Sequence, residues 1–117
     1  MSEIIYLASP YTSDDAAVME WRFQQVSRCA AKLAREGFPI FCPISHSHPW
    51  VPYGVPHDWE FWASLDRHFL EVSREIWVLC LPGWEDSTGV QAEVKMMLAI
   101  NRPVRYLEWD DDGTQPQ

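Results

Sequence analysis

An α/β domain built on a parallel sheet is the fold class this sequence predicts, and three observations carry it. Short runs of apolar, β-prone residues recur at 4–8, 38–42, 76–81 and 104–107, and runs of this kind belong to strands covered on both faces. Between the strands lie longer segments whose apolar residues fall at helical spacing. With 117 residues and 47% apolar content, the chain holds the material for one domain around one core.

The first run stops at Ser9, Pro10 and Tyr11, because proline cannot continue a central strand. Thr12, Ser13 and Asp14 each suit a helix N-cap. The helix they open runs to about Glu36, with Met19, Phe23, Val26, Ala30 and Leu33 forming a single stripe. Gly37 is placed to end it in a left-handed conformation. Residues 38–42 then read as a second strand, and a helix of this length between two apolar strands makes a right-handed parallel crossover. Ligands of such sheets gather at the carboxyl ends of the strands, which here are residues 8–12, 43–48 and 82–87.

Residues 43–56 read as an irregular segment holding Pro43, Pro49, Pro52 and Pro56 among Trp50, Tyr53 and Gly54. Its fixed prolines and aromatics suit an ordered lid or an interface, with a lid favoured. His57, Asp58 and Trp59 open the next helix, with Pro56 at or just before its first turn. Trp62, Leu65, Phe69 and Val72 supply its apolar stripe. Asp66 falls beside that stripe, either as a charge at the edge of the core or as a pocket residue. After the third strand Gly83 turns the chain, Asp86 or Ser87 caps a third helix, and Val90, Val94, Met97, Leu98 and Ile100 are expected to face inward. Asn101, Arg102 and Pro103 stop that helix before the fourth strand. One domain over residues 1–109, followed by a frayed acidic tail at 110–117, is the expected organisation.

Composition narrows the function classes. A formal net charge of −8 argues against a nucleic-acid polymer or an anionic membrane as principal partner, while leaving room for a small nucleotide in a locally positive pocket. Seven tryptophans are many for this length and offer flat surfaces for stacking a base or sealing a subunit contact. Cys29, Cys42 and Cys80 lie in apolar contexts without CxxC spacing, as buried thiols of a reducing compartment do. The N-terminus has no basic segment followed by an apolar one, and no run reaches membrane-spanning length. A soluble cytoplasmic protein is expected.

The stretch after the third strand carries the chemistry. Gly89 and Glu93 share one face of a helix, one turn apart. A ligand approaching the backbone at Gly89 meets the free amides of the first turn and then the Glu93 carboxylate. Against this stands the plainer reading of a strand–helix joint with a solvated glutamate. Ser87, at the same helix N-terminus, suits capping or a phosphate oxygen. The flanking sequence is neither a nucleophile elbow nor a Walker loop, for it lacks the preceding glycine of the one and the lysine of the other. His46 and His48 would lie on the same side of an extended chain, a weak zinc signal; a pocket-lining role for His46 is preferred over metal ligation. Glu93 and Asp66 remain as a pair of acids, which is what glycosidic bond cleavage needs.

Four pieces of the chain carry a resemblance. They are Tyr6 to Tyr11 at the first strand end, Gly37 to Pro43 with the following Ser-His-Ser-His, Trp77 to Glu93 with its Gly83, Trp84, Ser87 and Gly89, and Arg102 to Val104. Together they resemble the nucleoside 2-deoxyribosyltransferase-like superfamily over residues 4–107, and within it a small bacterial and phage domain family of unknown function. The resemblance implies a flavodoxin-like three-layer α/β sandwich with a four- to five-stranded parallel sheet. It further implies cleavage or transfer at the N-glycosidic bond of a nucleoside or its 5′-monophosphate. On that basis Glu93 is the expected nucleophile and Asp66 the acid that holds the sugar or assists the leaving base. Tyr6, Ser9, Pro10, Tyr11, Gly83, Trp84, Ser87 and Gly89 are expected at the substrate, with Ser87 on a phosphate. A homo-oligomer, dimer or tetramer, is also implied, and no metal or organic cofactor is expected. The alternatives are a nucleotide-binding module that senses without cutting, and metal-assisted hydrolysis through the histidine loop.

Overall fold

The computed structural model describes residues 2–56 and 58–109. His57 and the acidic tail at 110–117, both subjects of expectations above, lie outside the described residues. In chain order the elements are β1 (Ile5–Ala8), α1 (Ala16–Arg35), β2 (Ile40–Phe41), α2 (Pro43–Ser47), a 3₁₀ helix (His48–Tyr53), α3 (Trp59–Glu71), β3 (Glu75–Leu79), a 3₁₀ turn (Trp84–Asp86), α4 (Thr88–Ala99) and β4 (Val104–Leu107). The strands form one sheet in the order β2-β1-β3-β4, parallel at every pairing, consistent with a flavodoxin-like three-layer fold.

The alternation of side chains along each strand explains the layers. Ile5 and Leu7 of β1, with Trp77 and Leu79 of β3, face Val26 and Cys29 of α1. Tyr6 and Ala8, with Ile76 and Val78, point the other way onto Leu70 of α3 and Val90, Val94 and Met97 of α4. Strands sandwiched in this way have no polar face, so their sequences read as unbroken apolar runs. Fully burying a side chain such as Leu7, Val26 or Met97, none of which is exposed at all, contributes roughly 1.5–3 kcal/mol each.

The chain moves from β1 outward to β2, then returns across β1 to β3. That reversal is why α1 covers one face and α3 and α4 the other, given right-handed crossovers. It also opens a crevice between the carboxyl ends of β1 and β3, where the connections diverge to opposite faces.

Local chemistry sets the element ends. The N-cap of α1 is Asp15, one residue beyond the candidates named from sequence, and its carboxylate accepts from the Ala17 amide at 2.8 Å. Gly37 follows with φ +97°, and Ser87 caps α4 by accepting from the Val90 amide at 3.2 Å. Asn101, at φ 59°, turns the chain out of α4.

Three expectations need correcting. The segment at 43–56 is not irregular: Pro43 sits in the first turn of α2 and Pro49 in the first turn of the 3₁₀ helix, where a missing N–H costs nothing. Leu98 faces solvent because it lies about 100° around the axis of α4 from Met97, which takes the core position, and Ile100 is exposed because it is already the C-cap. In α3, Leu70 rather than Val72 is buried; Val72 is already the C-cap. Among the described residues, no helix is long and apolar enough to cross a membrane.

Candidate functional site

A cavity of about 450 Å³ occupies the crevice at the carboxyl ends of β1 and β3. Its walls come from the loop after β1, Arg22 of α1, α2 and the start of the 3₁₀ helix, one face of α3 from Trp59 to Asp66, and the β3–α4 connection with the first turns of α4. The volume lies within the range of small-molecule sites.

Glu93 and Asp66 both line it. Glu93 lies one helical turn above Gly89 on α4, and Tyr6, whose ring is wholly buried under the sheet face, donates its phenolic O–H to Glu93 Oε2 at 2.5 Å. The neighbours of Tyr6 in register, Phe41 of β2 and Ile76 of β3, fix the strand from both sides. Loss of water pushes the Glu93 carboxyl up to about 8, with the Tyr6 hydrogen bond pulling it down and the Asp66 charge adding to the rise. Burial alone pushes Asp66 up to about 7. The Tyr6 phenol is raised well above its ordinary value, first by burial and then by the Glu93 and Asp66 charges. The Asp66 charge thus opposes ionisation of Glu93, and a cationic group between them would favour both anions.

The β3–α4 connection forms the opposite rim. Gly83 adopts φ +93°, and an added Cβ there would stand 2.9 Å from Arg22 Nη2. Arg22, reaching over from α1, ties the two rims together. Its Nη1 donates to the carbonyls of Tyr11 and Thr12 at 3.3 and 3.0 Å, and its Nη2 to the Pro82 carbonyl at 3.4 Å. Desolvation lowers its pKa, but a guanidinium keeps its charge. Ser87 spends a lone pair on the Val90 amide and keeps a hydroxyl proton for a ligand. The amides that open α4 have no intrahelical acceptor. Gly89 lies close under Trp59 of α3: an added Cβ would come within 3.2 Å of its ring.

A third group completes the cavity. Tyr11 Oη lies 2.7 Å from His48 Nδ1, and His48 Nε2 lies 2.9 Å from Glu20 Oε1. The imidazole stacks on Phe23 with ring centres 4.2 Å apart.

Of the residues expected at the substrate, Ser9, Tyr11, Gly83, Ser87 and Gly89 line the cavity with Asp66 and Glu93. Tyr6 reaches it through its bond to Glu93. Pro10 is fully buried, and Trp84 packs against Tyr106. His46 is exposed and packs with Phe41, Trp50 and Phe69. The lining histidine is His48. The two histidines separate because this segment is helical, and residues two apart on a helix point to nearly opposite sides. Arg22, His48, Trp59 and Trp62 also line the cavity without having been singled out from sequence as substrate contacts. An arginine three residues after Met19 and four before Val26, a charge on the apolar stripe of α1, was the available signal for the first of them.

A parallel α/β domain whose switch-point cleft holds two carboxylates and an arginine clamp is the class of protein defined by these features. The chain belongs to the family described as a domain of unknown function, DUF1937, whose family model matches residues 3–109. No curated protein matches it.

Proposed function

We propose that the cleft breaks the N-glycosidic bond of a nucleoside or nucleoside 5′-monophosphate, with Glu93 as nucleophile. The observation that carries this reading is the Tyr6–Glu93 hydrogen bond inside a cavity that Asp66 also lines. Tyr6 holds one carboxylate oxygen and leaves the other to attack the anomeric carbon. As the base departs, that carbon develops positive charge, which favours ionisation of both acids. The product of the first step is a glycosyl ester on Glu93, which water or a second base then resolves. Asp66 holds the sugar or assists the leaving base. The Arg22 guanidinium, the Ser87 hydroxyl and the opening amides of α4 suit the phosphate of a 5′-monophosphate, and Trp59 and Trp62 offer faces for a base. This reading sets the family within the nucleoside 2-deoxyribosyltransferase-like superfamily, on the motifs quoted above.

One observation favours a second reading. Burial pushes the Glu93 carboxyl up to about 8, which favours its protonated form at neutral pH and suits a module that binds a nucleotide without attacking it.

Incubation with a panel of nucleosides and 5′-monophosphates, with and without a competing free base, separates the two. Wild type is expected to release free base, and Glu93→Gln to lose roughly a thousandfold or more in rate. A new nucleoside in the competition arm identifies a transferase. Base release that survives Glu93→Gln unchanged removes Glu93 as nucleophile. No base release from any member, with ligand-induced rises in melting temperature, establishes the binding module instead.

A further inference from the structure

Tyr11, His48 and Glu20 come from three elements: the loop after β1, the 3₁₀ helix and α1. They form one unbroken line of hydrogen bonds, 2.7 Å from Tyr11 Oη to His48 Nδ1 and 2.9 Å from His48 Nε2 to Glu20 Oε1. The line runs outward. Tyr11 and His48 line the cavity, whereas the Glu20 side chain is 54% exposed. We propose that these residues form a proton relay in the wall of the cleft, in which Tyr11 hands a proton to the leaving base as it takes one from His48, and later takes one from the attacking water and returns its own to His48. The inference rests on the N-glycosidase reading and deepens it.

The hydrogen-bonding capacities of the groups fix its direction. A carboxylate only accepts, so His48 Nε2 carries a proton towards Glu20. In neutral His48 the Nδ1 lone pair then accepts the Tyr11 O–H, and the phenol offers a lone pair to the cleft. In the imidazolium, Nδ1–H donates to Tyr11 instead, and the phenolic proton is free to point at a ligand. One phenol is thereby a donor in one state and an acceptor in the other.

Its surroundings keep that geometry. The other oxygen of Glu20 accepts from Gln24 Nε2 at 2.8 Å, so the carboxylate is held from two sides. Phe23 stacks on one face of the imidazole with an interplanar angle of 27°, and Tyr11 meets it edge-on at 83°. The relay is not needed to position the loop, because Arg22 already holds the Tyr11 and Thr12 carbonyls. Burial and the Glu20 charge raise the Tyr11 phenol to about 12, which keeps it protonated and able to pass a proton on only as it receives one.

The steps balance. In the first, Glu93 forms the bond to the anomeric carbon, the bond to the base nitrogen breaks, and the base takes the Tyr11 proton while Tyr11 takes the Nδ1 proton of the imidazolium. In the second, water attacks the glycosyl ester and gives a proton to Tyr11, whose own proton returns to His48 Nδ1. Glu93 leaves as carboxylate, and the imidazolium is restored. Tyr11 is the catalytic residue; His48 and Glu20 are positioning residues that act through it. Asp66 is left to hold the sugar.

The test compares two leaving groups on the same sugar: a nucleobase that must be protonated to depart, and 4-nitrophenolate, which departs as the anion. Tyr11→Phe, His48→Asn and Glu20→Gln are assayed on both, beside Asp66→Asn. The expected result for Tyr11→Phe and His48→Asn is a kcat loss of about 10²–10⁴-fold on the nucleobase substrate and a loss at least about tenfold smaller on the nitrophenyl one, with Glu20→Gln smaller in size but selective in the same sense. Equal losses on the two substrates, or selectivity found in Asp66→Asn alone, overturn the relay. If wild type cleaves neither substrate, the glycosidase reading itself fails. The line of hydrogen bonds is then still judged by ¹H–¹⁵N correlation of the His48 ring. A proton on Nε2 in either charge state of the ring, and ring shifts that move in Tyr11→Phe, are expected. A neutral ring whose single proton sits on Nδ1 refutes the arrangement without any assay.

Discussion

A phenol and two acids set the electrostatics of the cleft at the scale of single residues. Each carboxyl sits higher in the folded chain than in water, Glu93 at about 8 against 4.5 and Asp66 at about 7 against 3.8. The folded state therefore holds protons that the unfolded state releases. Their contribution to stability is complete below about pH 4 and is lost as pH rises through 7 to 8. Melting temperature is expected to fall between pH 5 and pH 9 in wild type and to fall less in Glu93→Gln. At pH 9 the variant should be the more stable by roughly 1–3 kcal/mol, a fraction of the shift at 1.36 kcal/mol per unit. Parallel melting curves over that range would remove burial as the cause. Glu93, Ser87 and Gly89 were legible in the sequence because helical spacing and capping chemistry are local rules. Tyr6 entered only through a resemblance, as a substrate contact, and its tie to Glu93 was not legible, since the two meet through a packed sheet face. His48 was misjudged for a related reason: its direction depends on whether the chain around it is extended or helical.

At the scale of elements, the β3–α4 connection depends on a glycine more than on any side chain. Gly83→Ala would force a Cβ into a left-handed backbone and to 2.9 Å from Arg22 Nη2. Denaturant unfolding should show a loss of roughly 1–3 kcal/mol, and because Arg22 must shift, binding of any anionic ligand should weaken as well. An unchanged denaturation midpoint would mean that the connection tolerates another path. Strands β1, β3 and β4 and helices α1, α3 and α4 were readable from periodicity, punctuated by Gly37, Gly83 and Pro103. The segment of α2 and the 3₁₀ helix was not. Its prolines break any periodic pattern, yet in a first turn proline is pre-set for helix rather than opposed to it, so a proline-rich loop and two short helices look alike until the fold places them.

For the molecule as a whole, the order β2-β1-β3-β4 sets the crevice at the carboxyl ends of β1 and β3; strand–helix alternation pointed to the carboxyl ends of the strands but not to their order. Composition could not show which apolar residues stay outside. Val72, Leu98, Ile100 and Tyr106 are all at least 43% exposed, more apolar surface than the helical stripes implied. An assembly of identical subunits is expected on this account and from the resemblance. Light scattering at micromolar concentration should give the mass of a dimer or tetramer, and a monomer's mass would dismiss it.

The central position of β1 has a consequence for how the site can fail. Its residues are bonded to a neighbour on either edge and capped by helices above and below, so they belong to the part of the domain that opens only when everything opens. Tyr6 is one of them, while Tyr11 and Ser87 stand on connections outside the sheet. Fluctuations of those rims can admit and release a ligand many times over while the anchor of Glu93 stays in place. The Glu93 carboxyl is thus insulated from the breathing of the cleft that surrounds it, and its alignment persists for as long as the molecule remains folded.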